Sequence, residues 1–90
     1  MKITFDPAKR LATLEGRGVD FLDAPEVFTG VAFDFQDLRQ EYGEVRMVTI
    51  GLLRERMVYI VWTQRGAARH IISMRKCNAR EQARYSHRFG

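Results

Sequence analysis

A chain of 90 residues, 46% hydrophobic and 29% charged, can build one hydrophobic core but not two, so a single domain over residues 1–90 is expected. No apolar run nears the ~18 residues that span a bilayer, and the opening Met1-Lys2-Ile3-Thr4-Phe5-Asp6-Pro7 lacks a signal-peptide core, which points to a cytoplasmic protein with no membrane attachment. The net charge of +4 hides a split: residues 1–53 carry six Lys/Arg against nine Asp/Glu (net −3), and residues 54–90 carry nine against two (net +7). A polyanion therefore meets the C-terminal half, although a solvated surface or an acidic protein partner suits the same count.

Asp6 can cap a first helix that Pro7 opens, where no N–H is required, and Gly16 and Gly18 stop it, which predicts a helix over about residues 7–16 with Ala8, Leu11, Ala12 and Glu15 on one face. Asp20 caps a short second helix whose apolar side is Phe21, Ala24, Val27 and Phe28, ending near Gly30. Pro25 makes that helix kinked or 3₁₀ at its start. The period then changes to alternation. Val31, Phe33 and Phe35 mark a first strand; after the polar loop 36–43, further strands are predicted at about 44–53, 57–64 and 68–76, joined by short turns. Asn78 and Glu81 have capping-box spacing and begin a last helix carrying Arg80, Arg84 and Arg88. The expected architecture is α+β: two N-terminal helices, a four-stranded antiparallel meander and a C-terminal helix.

Several chemistries lack their residues. Gly16-Arg17-Gly18 follows a helix, where a phosphate-binding glycine loop would follow a strand. Two histidines and one thiol, Cys77, give metal catalysis little support, and no nucleophile elbow is present. Cys77 reads as a structural thiol, and no metal or cofactor is expected. What remains is a set of cations on the strands. Arg46 shares the parity of Val48, Ile50 and Leu52. Strict alternation places Arg69, Ile71, Ser73 and Arg75 on one face and His70, Ile72, Met74 and Lys76 on the other, so Arg69 and Arg75 are expected side by side. A phosphate-gripping patch and a charged, solvated sheet surface both suit this pattern. Glu44 beside Arg46 suits an acid/base with its charge stabiliser or a plain surface ion pair, and His70 suits a hydrogen-bonded sheet position. The apolar and aromatic residues on both sides of the third strand, among them Tyr59 and Trp62, suit a central strand covered on both faces; base stacking on either ring is the other reading.

Phe5-Asp6-Pro7-Ala8-Lys9, Gly18-Val19-Asp20-Phe21 with Val27-Phe28, the loop from Asp37 to Arg46, and Ile71-Ile72-Ser73-Met74-Arg75-Lys76 followed by Glu81 and Tyr85 together resemble the BrnT family along nearly all of the chain. The resemblance implies a RelE-like fold and a metal-independent endoribonuclease that slows translation. It also implies a hetero-oligomer with a BrnA-type antitoxin whose ribbon-helix-helix domain, rather than this chain, contacts operator DNA. Glu44, Arg46 and Arg75 match the family's charged signature and are the catalytic candidates; Arg17, Arg65, Arg69, His70 and Lys76 are the RNA-binding candidates. One position departs: family members commonly read Lys-His-Gly where this chain has Gly16-Arg17-Gly18.

Cleavage of RNA without a metal requires removal of the 2′-OH proton, in-line attack on phosphorus and relief of the developing charge. On this reading Glu44 is the base, Arg46 and Arg75 clamp the phosphate, and Arg69 or Lys76 assists the leaving oxygen. A non-catalytic RNA- or ribosome-binding module, and a protein-interaction domain docking an acidic partner on its last helix, are the other functions the charge pattern allows.

Overall fold

In the computed structural model, which describes residues 1–90, the chain forms β1 (Ile3–Phe5), α1 (Pro7–Arg17), a 3₁₀ turn (Phe21–Asp23), α2 (Ala24–Thr29), β2 (Ala32–Gln36), β3 (Met47–Leu53), β4 (Arg56–Arg65), β5 (Ala68–Lys76), α3 (Ala79–Tyr85) and a final 3₁₀ turn (Ser86–Phe89). The α+β class and the β2-to-β5 antiparallel meander are as expected. The sheet is nevertheless five-stranded and mixed, ordered β1-β5-β4-β3-β2, with β1 parallel to β5. Three residues carry too little alternation to read as a strand; β1 exists because Ile3 and Phe5 pack on a core and pair with Arg69 and Ile71 far along the chain.

Local chemistry sets the helix ends. The Asp6 carboxylate accepts from the Ala8 N–H at 2.9 Å, and Gly18 closes α1 in the left-handed region at φ 71°. Asp20 accepts from the Leu22 N–H and from two Arg10 nitrogens at 2.8 and 3.0 Å, tying α1 to the following turn. The awkward Pro25 is accommodated as expected, by a 3₁₀ turn after which α2 restarts with Pro25 in its first turn. The face expected for α1 is corrected: none of its residues is buried, Leu11 is 53% exposed, and Arg10 and Thr13 are the half-buried positions. α1 runs beside β5, where the Arg17 Nη1 donates to the Met74 carbonyl at 3.3 Å, so its inner side meets polar backbone at a sheet edge and not an apolar face.

β4 is the central strand and is covered on both sides. One core holds Val58, Ile60, Trp62, Ile71 and Met74 under Phe21, Ala24 and Val27; this is the α2 face. The other holds Val48, Ile50, Tyr59, Val61 and Cys77 against Phe33, Phe35, Tyr85 and Phe89; this is the α3 face. Trp62 Nε1 donates to Thr49 Oγ1 at 2.8 Å inside the α2 face, so its ring is a core element closed to base stacking. No helix is long and apolar enough to cross a membrane.

The pairing of β4 with β5 slips by one residue. Val61 opposes Ser73 while Trp62 opposes Ile71, leaving Ile72 as an inserted residue in a β-bulge. Side-chain parity therefore reverses at Ile72. Ile71 and Met74, three residues apart, share the α2 core, and Arg69, opposite Gln64, lies on the α2 face while Arg75, opposite Tyr59, lies on the α3 face. The expected side-by-side placement of Arg69 and Arg75 is thus overturned, because strict alternation does not survive an inserted residue.

β3 passes under α2 at Gly51, where an added Cβ would lie 2.6 Å from Val27 Cγ1 and 2.9 Å from Ala32 Cβ. Gly51→Ala is expected to lower unfolding free energy by about 1–3 kcal/mol through overpacking, read from the urea midpoint. An unchanged midpoint would mean that α2 does not sit this close to β3.

Candidate functional site

The α3 face gathers most of the charged side chains singled out in the sequence. Beyond the last residue of β2, the Asp37 N–H donates to the Arg46 carbonyl at 2.8 Å, which continues the β2–β3 ladder and keeps Asp37 and Arg46 on the parity of Phe35 and Val48. β3 itself starts at Met47, so Glu44 and Arg46 precede the strand instead of opening it. The loop between them folds around the Asp37 carboxylate, whose side chain is only 2% exposed. Asp37 accepts from Arg39 Nε and Nη2, both at 2.8 Å, and from the Tyr42 hydroxyl at 3.0 Å. The Tyr42 ring in turn lies under the Arg46 guanidinium, 4.1 Å from its centroid. The Arg39 hydrogen bonds, opposed by burial, hold the Asp37 carboxyl far below the usual carboxylate range and raise Arg39.

Arg46 is the least committed of these cations. Its Nε is buried without a hydrogen bond, with Glu44 Oε1 at 3.5 Å, too long and poorly aligned to count as one. The other Glu44 oxygen faces Arg65 Nη2 at 3.8 Å. His70 joins this end of the face: Thr4 Oγ1 and His70 Nδ1 are 2.8 Å apart. Burial, with help from Arg65, lowers the imidazole pKa, and Glu44 acts in the opposite direction.

Arg75 occupies the other end. Glu81 completes the predicted capping box, accepting from the Asn78 N–H at 2.9 Å while its own N–H donates to Asn78 Oδ1 at 2.8 Å. Its two oxygens also accept from Arg75 Nη1 and Nη2 at 2.6 and 2.8 Å, so the cap that starts α3 also fixes Arg75. These bonds lower Glu81 and raise Arg75. The Arg75 guanidinium lies 4.1 Å over the Tyr59 ring. Burial raises the Tyr59 phenol, and the charges of Arg39 and Arg75 oppose that rise.

Glu44, Arg46, Arg65, His70 and Arg75 thus share one face, the first four at one end. Arg17 lies at the sheet edge on α1, beside Ile72 and Ser73. Arg69 and Lys76 lie on the opposite face. Arg69 lies over the edge-to-face pair of Phe28 and Trp62, 4.6 and 4.2 Å from their ring centroids, and Lys76 lies near the α1 terminus at Gly18. Sequence reasoning missed Arg39, Tyr42 and the Asp37 that organises them, because a polar loop without a period gives no placement. Only the Asp37-x-Arg39 spacing, which suits a side-chain-to-backbone turn, hinted at it: the Arg39 N–H donates to Asp37 Oδ1 at 3.2 Å. Cys77 is buried and its thiol is pushed up to about 11, as an inert structural residue requires.

Residues 5–81 match the family model described as ribonuclease toxin, BrnT, of type II toxin-antitoxin system. The chain belongs to the BrnT family. A search of curated proteins returned no significant match. Family membership makes the cation-lined α3 face of this BrnT chain a site to test for RNA, and a type II system supplies an antitoxin as its protein partner.

Asp37 and Glu81 have folded pKa values below their unfolded ones. The stability they contribute is therefore complete above the unfolded carboxylate range near ~4 and is lost as pH falls through the depressed folded values. Denaturant midpoints are expected to hold from pH 7 to about 5 and to fall below about 4, with Asp37→Asn flattening part of that fall. A wild-type midpoint unchanged under strong acid would contradict these pairings.

Proposed function

We propose that this BrnT-family chain cleaves RNA on the α3 face by activating the substrate's own 2′-OH, without a metal ion, and so slows translation until a BrnA-type ribbon-helix-helix antitoxin neutralises it. The observation that carries the proposal is that Arg39, Arg46 and Arg75 are each positioned by a carboxylate or a tyrosine ring, yet keep free N–H groups on a single face. Arg75 uses Nη1 and Nη2 end-on with Glu81, which leaves Nε–H and one Nη2–H side by side for a phosphate. Arg46 has neither Nη group in a hydrogen bond and is the freer of the two.

The two arginines act on different phosphates. Arg46 lies one residue beyond the Met47–Trp62 pair, level with Thr63, whereas Arg75 opposes Tyr59. Four residues of β4 at ~3.3 Å each separate those levels, and Arg46 is held over Tyr42 whereas Arg75 is held over Tyr59 by Glu81, which suits successive phosphates better than one. Glu44 takes the 2′-OH proton, the 2′ oxygen attacks phosphorus in line, and Arg46 and Arg65 offset charge on the phosphate oxygens as the 5′ oxygen leaves and takes a proton from water. The products are a 2′,3′-cyclic phosphate and a 5′-OH end. Arg75, with Arg39 and Tyr59 nearby, holds a neighbouring phosphate and sets the strand's path. Arg69 and Lys76, on the opposite face, have no part in this step. Operator DNA is contacted through the antitoxin.

Arg46→Ala is expected to lower the single-turnover cleavage rate about 10²–10³-fold. Arg75→Ala should mainly weaken RNA binding and reduce the salt dependence by roughly one phosphate contact. Arg69→Ala should leave both within about threefold, and a chelator should change nothing. Losses below about threefold for both Arg46→Ala and Arg75→Ala, or RNA bound but never shortened, would contradict the assignment.

A further inference from the structure

The sheet ends in a strand that nothing covers along its outer side. β2 is the last strand in the sheet order, and apart from β3 no backbone or side-chain group hydrogen-bonds Ala32–Gln36. Edge strands are ordinarily blunted by lysine, proline, a bulge or an inward charge. β2 contains no lysine or proline and pairs one-for-one with β3, and its single charge, Asp34, is tied to the Thr49 hydroxyl at 2.5 Å. Val31 and Leu38, just outside its two ends, are 66% and 78% exposed.

The surroundings of that edge are cationic. On the α3 face Phe33 and Phe35 pack with Tyr85 and Phe89. The Arg88 guanidinium lies 4.1 Å over Phe33, and that of Arg84 lies 5.5 Å over Tyr85. Neither arginine has a carboxylate within ion-pair distance, although most other arginines of the chain have one. We infer that the outer edge of β2 receives an extended, acidic segment of a partner protein as a sixth strand, with carboxylates at alternate positions meeting Arg84 and Arg88. Main-chain hydrogen bonds to the open edge give the affinity, and the arginines over the aromatic cluster give the selection for acid.

A second copy of this chain fits worse. A two-fold antiparallel pairing of Ala32-Phe33-Asp34-Phe35-Gln36 about its centre sets Asp34 against Asp34 and draws like arginines together. RNA has no peptide groups to match the ladder. A type II system includes an antitoxin as protein partner, so assigning the segment to it rests on family membership and not on the proposed cleavage chemistry.

The test uses the full chain and a short, end-capped peptide of alternating glutamate and valine, with amide hydrogen exchange followed by NMR. The peptide is expected to slow exchange of the outward-facing β2 amides roughly fivefold or more, and to leave β1 unaffected. The matching lysine–valine peptide should have no effect, and Arg84→Glu with Arg88→Glu should abolish the protection. Both substitutions lie outside the proposed cleavage site, so RNA cleavage should persist in the double variant. Absence of β2 protection at millimolar peptide, equal protection by the lysine peptide, protection that rises with protein concentration alone, or protection by an RNA oligonucleotide instead would overturn the inference.

Discussion

One inserted residue in β5 decides which side chains can work together. Because Ile72 has no partner on β4, Ile71 and Met74 both face the α2 core while His70, Ser73 and Arg75 face the other way. Without the bulge, alternation would turn Met74 or Ile71 out of the core, which costs on the order of 2–5 kcal/mol for loss of a large buried side chain. Core packing thus enforces the parity reversal, and the reversal delivers Arg75 to Tyr59 and Glu81. The same reversal sends Arg69 to the ring pair of Phe28 and Trp62, away from the cations it was expected to join.

Two carboxylates then convert a sheet surface into a positioned set of cations. Asp37 draws Arg39 and Tyr42 into one network, and Tyr42 underlies Arg46. Glu81 serves the α3 cap and Arg75 at once. Each acid neutralises part of one guanidinium but also removes most of its rotamer freedom, so what remains unpaired is preorganised. Positive charge on an unstructured side chain would bind phosphate at a larger entropic cost.

The sequence was informative wherever a local rule decides the outcome. Asp6-Pro7, Asn78 with Glu81, and Pro25 after the Asp20 cap placed the helices through hydrogen bonds spanning a few residues, and β4 read as central because both of its faces are apolar. It was silent wherever distant partners decide. β1 depends on β5, the polar inner side of α1 depends on a sheet edge, and the bulge depends on matching two cores across β4. The gathering of Glu44, Arg46, Arg65 and His70 was therefore only partly legible: the residue types were picked out, but their shared end of one face was not. Arg39 lay in a loop with no period to place it.

RNA is placed on the face carrying Arg46 and Arg75 in the proposed function. The most direct measurement of that placement is NMR shift mapping with a short RNA whose 2′ oxygens are methylated, which binds but offers no nucleophile. Shifts concentrated at Tyr42, Arg46, Tyr59, His70, Ser73 and Arg75, with the Trp62 indole and the amides of Phe28 and Arg69 unmoved, are predicted. Shifts centred on Phe28, Trp62, Arg69 and Lys76, with the α3 face undisturbed, would contradict it.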